Sequence, residues 1–294
     1  MTSLPPEFLV QTRRCKALLG FMSEQEALNF LANRCALGSD IATRLALWRD
    51  AQQRLGGAGM IPVRAPTMRP LPAEVAADGQ TLITSPEGVK LFPSGLSSVA
   101  LVGVEGLLTY QYHVDIDYLD EIAVDVPKPG DWKGVFEFCT RRTPLGEPFI
   151  DPAGVTFSSH YAGNNVLEPP LQVRRVDREH YELVLTVKAR PNYVAVLRYP
   201  DGRMVINNGN HRVAALVSAG HTEVPAVVQQ VVGSIHQMGV AVEGNFNEGT
   251  LLNAQRAPLV TDYLNPAASA DLKLRALNSI LRVGFQAQGF CAPR

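Results

Sequence analysis

The fold of this chain is decided by residues 193–228, which read YVAVLRYPDGRMVINNGNHRVAALVSAGHTEVPAVV. Two apolar, β-rich runs flank Asp201-Gly202, and an Asp-Gly pair between such runs predicts a β-hairpin. A turn and then a helix are predicted next, because apolar residues recur at helical spacing up to Gly220, where a C-terminal cap belongs. A final strand is predicted around Pro225, which belongs in its first residues or at a sheet edge.

The join between the second strand and the helix carries the candidate chemistry. Asn208, Gly209 and Asn210 tolerate irregular backbone, and the first N–H groups of a helix attract an anion through the helix dipole. His211 and Arg212 add donors at the same place, and an arginine fork suits phosphate oxygens. The alternative is a plain turn with a helix cap, in which Arg212 meets only solvent. On the first interpretation, this join is a phosphate site.

The order of hairpin, Gly-x-His-Arg turn, alanine-rich helix and Val-Pro-x-Val-Val strand resembles the ParB/sulfiredoxin-like superfamily over roughly residues 184–231. The resemblance implies that Gly209 to Arg212 form a nucleotide-binding turn. Members of the superfamily include CTP-dependent DNA clamps, sulfiredoxins and kinases of small molecules. Asn210 stands where sulfiredoxins carry a catalytic cysteine, so sulfiredoxin chemistry is not expected. The turn also differs from the Glu-Arg-Arg arrangement of the chromosome-partition members.

The composition predicts a globular chain with no strong overall charge. Of 294 residues, 46% are hydrophobic, and 27 Lys and Arg nearly balance 28 Asp and Glu, for a net charge of -1. This charge gives no general attraction for nucleic acid or an anionic membrane, although local patches stay open. The four cysteines form no Cys-x-x-Cys pair, which is typical of reduced thiols. With no signal-like N-terminus and no apolar run of membrane-spanning length, we expect a cytoplasmic protein.

Three regions are expected along the chain. Residues 1–57 predict a helical N-terminal segment of three helices, the first through Cys15 and the second capped by Ser23 with Glu26. Residues 58–150 predict a linker and a β-rich region, and residues 151–294 predict the ParB/sulfiredoxin-like domain with C-terminal helices. The fold class is therefore α+β.

Individual elements are predicted within the last two regions. Strands are expected at 81–84, 90–92, 99–104, 107–112 and 132–138, a hairpin around 177–179, and helices at 251–264 and 271–283.

An acidic segment supplies the candidates for a metal site or a catalytic base. His113, Asp115 and Asp117 share one face if the segment is a strand, because side chains alternate with a period of two. Such a face suits a divalent metal or a base for phosphoryl transfer, and Glu121 follows closely in the sequence. The alternative is an edge strand whose polar face meets water.

The candidate residues fall into three groups. The catalytic candidates are His211, Arg212, Asp115, Asp117 and Glu121; the nucleotide-binding candidates are Asn208, Gly209, Asn210, His211, Arg212 and Arg190; the metal candidates are Asp115 and Asp117. Arg190 precedes the first strand of the hairpin, where it either approaches the same phosphate or marks an exposed strand end.

Three functions are compatible with these residues. The leading hypothesis is a nucleotide-binding protein that uses ATP or CTP with Mg²⁺ for phosphoryl transfer to a small-molecule or protein acceptor, or for nucleotide hydrolysis. The second is a DNA-associated clamp-like or nuclease-like protein, whose binding would weaken steeply with salt. The third is a non-catalytic scaffold that binds a partner. A fold alone does not choose among them.

Overall fold

The computed structural model describes residues 12–35, 40–57, 64–92, 95–142, 148–151, 154–159, 165–189, 191–233, 245–253, 256–275 and 279–284. Within these residues the chain is a mixed α+β fold. Contacts divide the chain into two units. The larger one is built from residues 11–141 and 193–275, and the smaller one contains residues 142–192 with the two ends of the chain.

The helices are α1 (Glu24–Arg34), α2 (Ile41–Gly57), α3 (Ala73–Thr84), α4 (Pro86–Leu91), α5 (Ile116–Ala123), α6 (Trp132–Thr140), α7 (Asn210–Ser218) and α8 (Glu248–Asn253). The strands are β1 (Thr12–Ala17), β2 (Met68–Arg69), β3 (Ser97–Gly103), β4 (Leu108–Thr109), β5 (His113–Asp115), β6 (Phe149–Asp151), β7 (Gly154–Ser159), β8 (Asn165–Arg175), β9 (Tyr181–Ala189), β10 (Ala195–Arg198), β11 (Met204–Asn208), β12 (Glu223–Gln230), β13 (Ala270–Arg275) and β14 (Ser279–Gly284). Two 3-10 turns cover Leu19–Phe21 and Val260–Leu264.

The main sheet of the larger unit has six strands in the order β2-β3-β12-β10-β11-β4. β10 and β11 form the predicted hairpin around Gly202, whose φ of 89° suits glycine in a tight turn. α7 follows, and β12 returns parallel to β10. The predicted order of hairpin, helix and strand is confirmed. Pro225 lies in the part of β12 that precedes its pairing with β10 at Val227, where a missing N–H breaks no bond to β10.

A second sheet of the larger unit has the order β13-β1-β5, with both neighbours antiparallel to β1. In β13, Leu272 and Leu274 are buried while Asp271 and Lys273 are exposed, and this period of two is that of a strand. The predicted helix at residues 271–283 is therefore wrong, since β13 and β14 occupy most of that range.

The N-terminal segment is helical only in part. Residues 12–17 form β1 instead of the first predicted helix, because pairing with β13 and β5 gives every residue of this short strand a neighbour. The second predicted helix is confirmed as α1. Its capping box is complete, because the Glu26 N–H donates to the Ser23 hydroxyl at 3.3 Å and Glu26 Oε2 accepts the Ser23 N–H at 2.9 Å. The third predicted helix is confirmed as α2.

The predicted strands at 81–84, 90–92 and 132–138 fall in or at the end of α3, α4 and α6. Local caps explain the difference. Ser85 caps α4 and is followed by Pro86 at the first helical position, where a proline needs no N–H partner. Asp131 caps α6 by accepting the Gly134 N–H at 2.9 Å. The strand predicted at 99–104 is confirmed as β3, but the description of the middle region as β-rich is wrong.

The smaller unit contains two sheets among its described residues, β14-β7-β6 and the hairpin β8-β9. The hairpin predicted around 177–179 is confirmed. Its turn is closed by Asp177 Oδ1, which accepts the N–H groups of Glu179 at 2.7 Å and His180 at 2.8 Å. The Asx-type turn thus follows from the side chain that the sequence offers at this position.

The two contact units do not coincide with the three predicted regions. β1 pairs with β13, and β3 pairs with β12, so residues on either side of the predicted boundaries at 57 and 150 belong to the same sheets. In the part of the chain that the structure describes, no helix combines the length and apolar character needed to cross a membrane.

Candidate functional site

The turn before α7 requires glycine. Gly209 has a φ of 94° and forms the N-terminal cap of the helix. A Cβ at this position would lie 2.8 Å from Val194 Cγ2 and 3.1 Å from Val194 Cα, so the backbone of the turn packs directly against the residue before β10. The first helical bond runs from the Val213 N–H to the Gly209 carbonyl at 2.9 Å. Residues 210–212 therefore supply the N–H groups that have no acceptor within the helix.

Asn210 anchors the first turn of α7 inside the protein. Its side chain is buried, and its Oδ1 accepts a hydrogen bond from the Thr109 hydroxyl at 2.7 Å. Thr109 Oγ1 also lies 2.8 Å from the Tyr263 hydroxyl, which donates to the Gln111 carbonyl at 2.7 Å. The Nδ2 of Asn210 is buried and has no hydrogen-bond partner among the described residues. A buried amide without a partner is costly, so this donor is suited to a ligand oxygen.

His211 is held as a neutral imidazole. Its Nε2 accepts the backbone N–H of Asp115 at 2.9 Å, which assigns the ring proton to Nδ1. Burial, with the positive charge of Arg212 second, lowers the pKa of His211 from 6.5 to about 4. The ring also packs edge-on against Tyr118, with 5.3 Å between the ring centroids. At neutral pH the predicted role of this side chain, offsetting developing charge, would rest on a neutral donor.

Arg212 ties α7 to the end of α6. The side chain is buried, and its Nη1 donates to the carbonyl of Cys139 at 2.8 Å. Longer contacts of 3.4 Å join Nη1 to the carbonyls of Phe138 and Arg141. These carbonyls belong to the last turn of α6 and the residue after it, which have no helical donors of their own. Arg212 thus caps α6, a structural role that the sequence did not indicate.

The acidic segment is a strand for three residues only. Asp115 is the N-terminal cap of α5, and its Oδ1 accepts the Tyr118 N–H at 3.0 Å. Asp117 consequently lies in the first turn of a helix, where the side-chain period is no longer two. The expectation that His113, Asp115 and Asp117 share one strand face is wrong for this reason.

Arg14 of β1 binds two carboxylates of the acidic segment. Its Nε donates to Asp117 Oδ1 at 2.6 Å, and its backbone N–H donates to Asp117 Oδ2 at 2.9 Å. Its Nη2 donates to Asp120 Oδ2 at 2.7 Å. The bond from the Arg14 backbone, followed by the bond from its side chain, lowers the pKa of Asp117. Asp117 is therefore an ionised partner of β1.

Arg13 binds two further carboxylates of the same segment. Its Nη1 lies 3.3 Å from Asp115 Oδ2 and 3.6 Å from Glu121 Oε1. The pair Arg13-Arg14 is visible in the sequence, but nothing near it specifies a partner about a hundred residues later. The structure thus brings all three acidic candidates to the basic start of β1.

The acidic segment does reach the turn, through the bond between the Asp115 backbone and His211. Asp115 and Asp117 nevertheless bond to different arginines, and the described residues contain no group of three His, Cys, Asp or Glu side chains that is arranged to hold a metal ion. The two carboxylates therefore do not make a ready Mg²⁺ site in this arrangement. Arg190 lies outside the described residues.

The chain was compared with protein-family models, with characterised proteins and with solved structures, and none of the three comparisons found a match. The resemblance to the ParB/sulfiredoxin-like superfamily stays a prediction from the sequence.

Proposed function

We propose that this protein binds the phosphate groups of a nucleotide, ATP or CTP, at the N-terminus of α7, as a member of the ParB/sulfiredoxin-like superfamily. The observation that carries the proposal is the geometry of the turn. Gly209 takes a left-handed conformation that only glycine adopts easily, and the unpartnered amide of Asn210 lies in the first helical turn after it.

Three features of the turn suit a phosphate. The N–H groups of residues 210–212 face the helix N-terminus, where the dipole favours negative charge. The left-handed φ of 94° at Gly209 sets the sharp turn that places these N–H groups at the start of the helix. Asn208 is exposed at the end of β11, immediately before the glycine, so its amide is accessible to a bound nucleotide.

The proposal extends from binding to catalysis, in which the bound nucleotide would undergo phosphoryl transfer or hydrolysis. Asp115 is the candidate base at the turn, because its backbone N–H donates to His211; its carboxylate would first have to leave Arg13, which lies 3.3 Å away. Mg²⁺ would enter with the nucleotide and be held mainly by phosphate oxygens and water, as this ion commonly is. The acceptor would be a small molecule or a protein.

Calorimetric titration with ATP, ADP and CTP, each with and without Mg²⁺, tests the proposal. Asn208→Asp places a negative charge before α7, where the dipole tolerates it but a phosphate does not. We expect this variant to bind nucleotide about tenfold more weakly, a change of roughly 1.4 kcal/mol. Gln53→Glu on the exposed surface of α2 adds the same charge elsewhere and should leave affinity unchanged.

The result against the proposal is equally clear. If no nucleotide binds at millimolar concentration, or if Asn208→Asp and Gln53→Glu bind equally well, the turn is not the phosphate site. Arg212→Ala is a poor probe of binding, because loss of the cap on α6 would damage the fold itself.

The scaffold hypothesis is the second candidate, and one observation favours it. Arg212 and the carboxylates of the acidic segment all have partners inside the protein, as expected if the polar residues only hold the fold together. On this hypothesis no nucleotide binds, and Gly209 matters for stability alone. The DNA-associated alternative is tested by titrating a DNA duplex at two salt concentrations, since such binding falls steeply with salt.

A further inference from the structure

Arg34, in the last turn of α1, is a partly buried cation whose charge is not balanced by the described part of the chain. Its Nε is buried and has no hydrogen-bond partner among the described residues. No carboxylate of the described residues forms an ion pair with it, whereas Arg13 and Arg14 on neighbouring β1 each have two. Burial lowers the pKa of Arg34, yet a guanidinium stays protonated at neutral pH.

His113 lies beside this cation. Its ring packs on Phe30, with 5.6 Å between the ring centroids, and Phe30 precedes Arg34 by one turn of α1. The Nδ1 of His113 is buried and has no partner among the described residues. Burial, followed by the charges of Arg34 and His211, lowers the pKa of His113 to about 3, so the ring is neutral at pH 7. Two buried nitrogen atoms without recorded partners therefore belong to side chains close enough for the charge of Arg34 to act on His113.

The helix dipole does not account for this arrangement. A cation in the last turn of a helix gains only a little from the dipole, whereas withdrawing even part of a charge from water is costly unless it is paired. An imidazole nitrogen without a partner adds to that cost. One anionic group that accepts hydrogen bonds from both side chains would offset the cost of the unpaired cation and that of the imidazole nitrogen.

We propose that Arg34 and His113 together bind an oxyanion, the carboxylate or phosphate group of a small ligand. The Nε–H of Arg34 and the Nδ1–H of neutral His113 are its two donors. This binding does not depend on the nucleotide site at α7. The two lie near each other, because His113 is two residues before Asp115, whose backbone binds His211.

Thermal unfolding in sodium phosphate, sodium acetate and sodium chloride at equal ionic strength tests the proposal. Phosphate stabilises folded proteins in general, so the comparison is made between variants. The wild type and the exposed α2 variant Arg49→Gln should both show a rise in Tm with the bound anion, and Arg34→Gln should lose the specific part of that rise. A response to phosphate only, or to acetate as well, identifies the group that the site accepts.

Two further measurements keep the test decisive. In chloride, Arg34→Gln should be as stable as the wild type or more so, since the substitution removes an unpaired cation. By NMR at pH 7, the anion should shift the ring resonances of His113 in the wild type but not in Arg34→Gln, because the Nδ1–H of His113 would donate to the anion.

Equal anion responses in Arg34→Gln and Arg49→Gln would overturn the proposal. So would a response that Asn208→Asp abolishes, since the anion would then sit at the N-terminus of α7. Nucleotide binding can fail while the anion response persists, and the reverse, so the two proposals stand or fall separately.

Discussion

The turn at 207–212 and the acidic segment at 113–121 meet at the same point of the larger unit, yet they use their polar residues in opposite ways. The acidic segment is closed, because Arg13 and Arg14 neutralise its carboxylates. In the turn, the buried side-chain Nδ2 of Asn210 has no hydrogen-bond partner among the described residues. Whether a side chain of suitable chemistry is available to a ligand thus depends on partners that lie far away in the sequence.

Arg212 gives the largest expected effect, because it belongs to the turn but its side chain is bonded inside the protein. Arg212→Ala should destabilise the protein by about 3 kcal/mol, since the carbonyls at the end of α6 lose the Arg212 donor and a buried space opens, although the Cys139 carbonyl keeps the Val194 N–H at 2.9 Å. Urea unfolding measures the change, with the exposed Arg49→Ala as control. A cost below about 0.5 kcal/mol would show that Arg212 is as dispensable as a surface residue, and would reopen its predicted role as a phosphate ligand.

Two glycines, one at each end of α7, give the next largest effect and test how closely the turn is packed. Gly209 and Gly220 have similar φ values of 94° and 88°, but a Cβ collides with Val194 only at Gly209 and meets open space at Gly220. Gly209→Ala should therefore cost about 2 kcal/mol or more, and Gly220→Ala about 1 kcal/mol from backbone strain alone. Equal losses of unfolding free energy would contradict the close packing of the turn.

The sequence predicted the turn far better than its surroundings. The hairpin, Gly209 and α7 follow from local signals, namely Asp201-Gly202, a glycine before a helix, and apolar residues at helical spacing. The capping box at Ser23 is local in the same way. Such elements are specified by neighbours within about four residues, so a sequence pattern suffices to place them.

The remaining elements depend on distant contacts. β1 is a strand because β13 and β5 flank it, and the acceptors of Arg212 lie more than seventy residues away. The partners of Arg13 and Arg14 are similarly remote. No local pattern encodes these pairings, which is why the acidic segment was interpreted as an open metal face.

The two buried histidines, His113 and His211, make the stability of the protein dependent on pH. The pKa values of His113 and His211 are lowered in the folded protein to about 3 and about 4, so the unfolded chain takes up protons first as the pH falls below 6.5. Stability should be nearly constant above about pH 7.5 and fall by about 2 kcal/mol per histidine on acidification to pH 5. His211→Gln should reduce that fall, whereas the exposed α2 variant Arg49→Gln should not. A pH-independent wild type would contradict the neutral, buried state of both rings.

The smallest effect is expected in the acidic segment. Arg14 is exposed, so Arg14→Gln should change the unfolding free energy little, even though it releases Asp117 and Asp120. If these carboxylates are a latent metal site, the same variant should bind Mg²⁺ more tightly than the wild type. Calorimetric titration of the wild type and of Arg14→Gln with MgCl₂ tests for such a site. Equally weak binding by both would mean that the segment serves only to hold β1.

The most direct test of the nucleotide-binding proposal is an NMR titration of the ¹⁵N-labelled protein with ATP or CTP in the presence of Mg²⁺. If α7 holds the phosphates, the backbone amide resonances of Gly209, Asn210, His211 and Arg212 should shift most, while those of α2 stay in place. Largest shifts elsewhere in the chain, or none at millimolar nucleotide, would contradict the proposal.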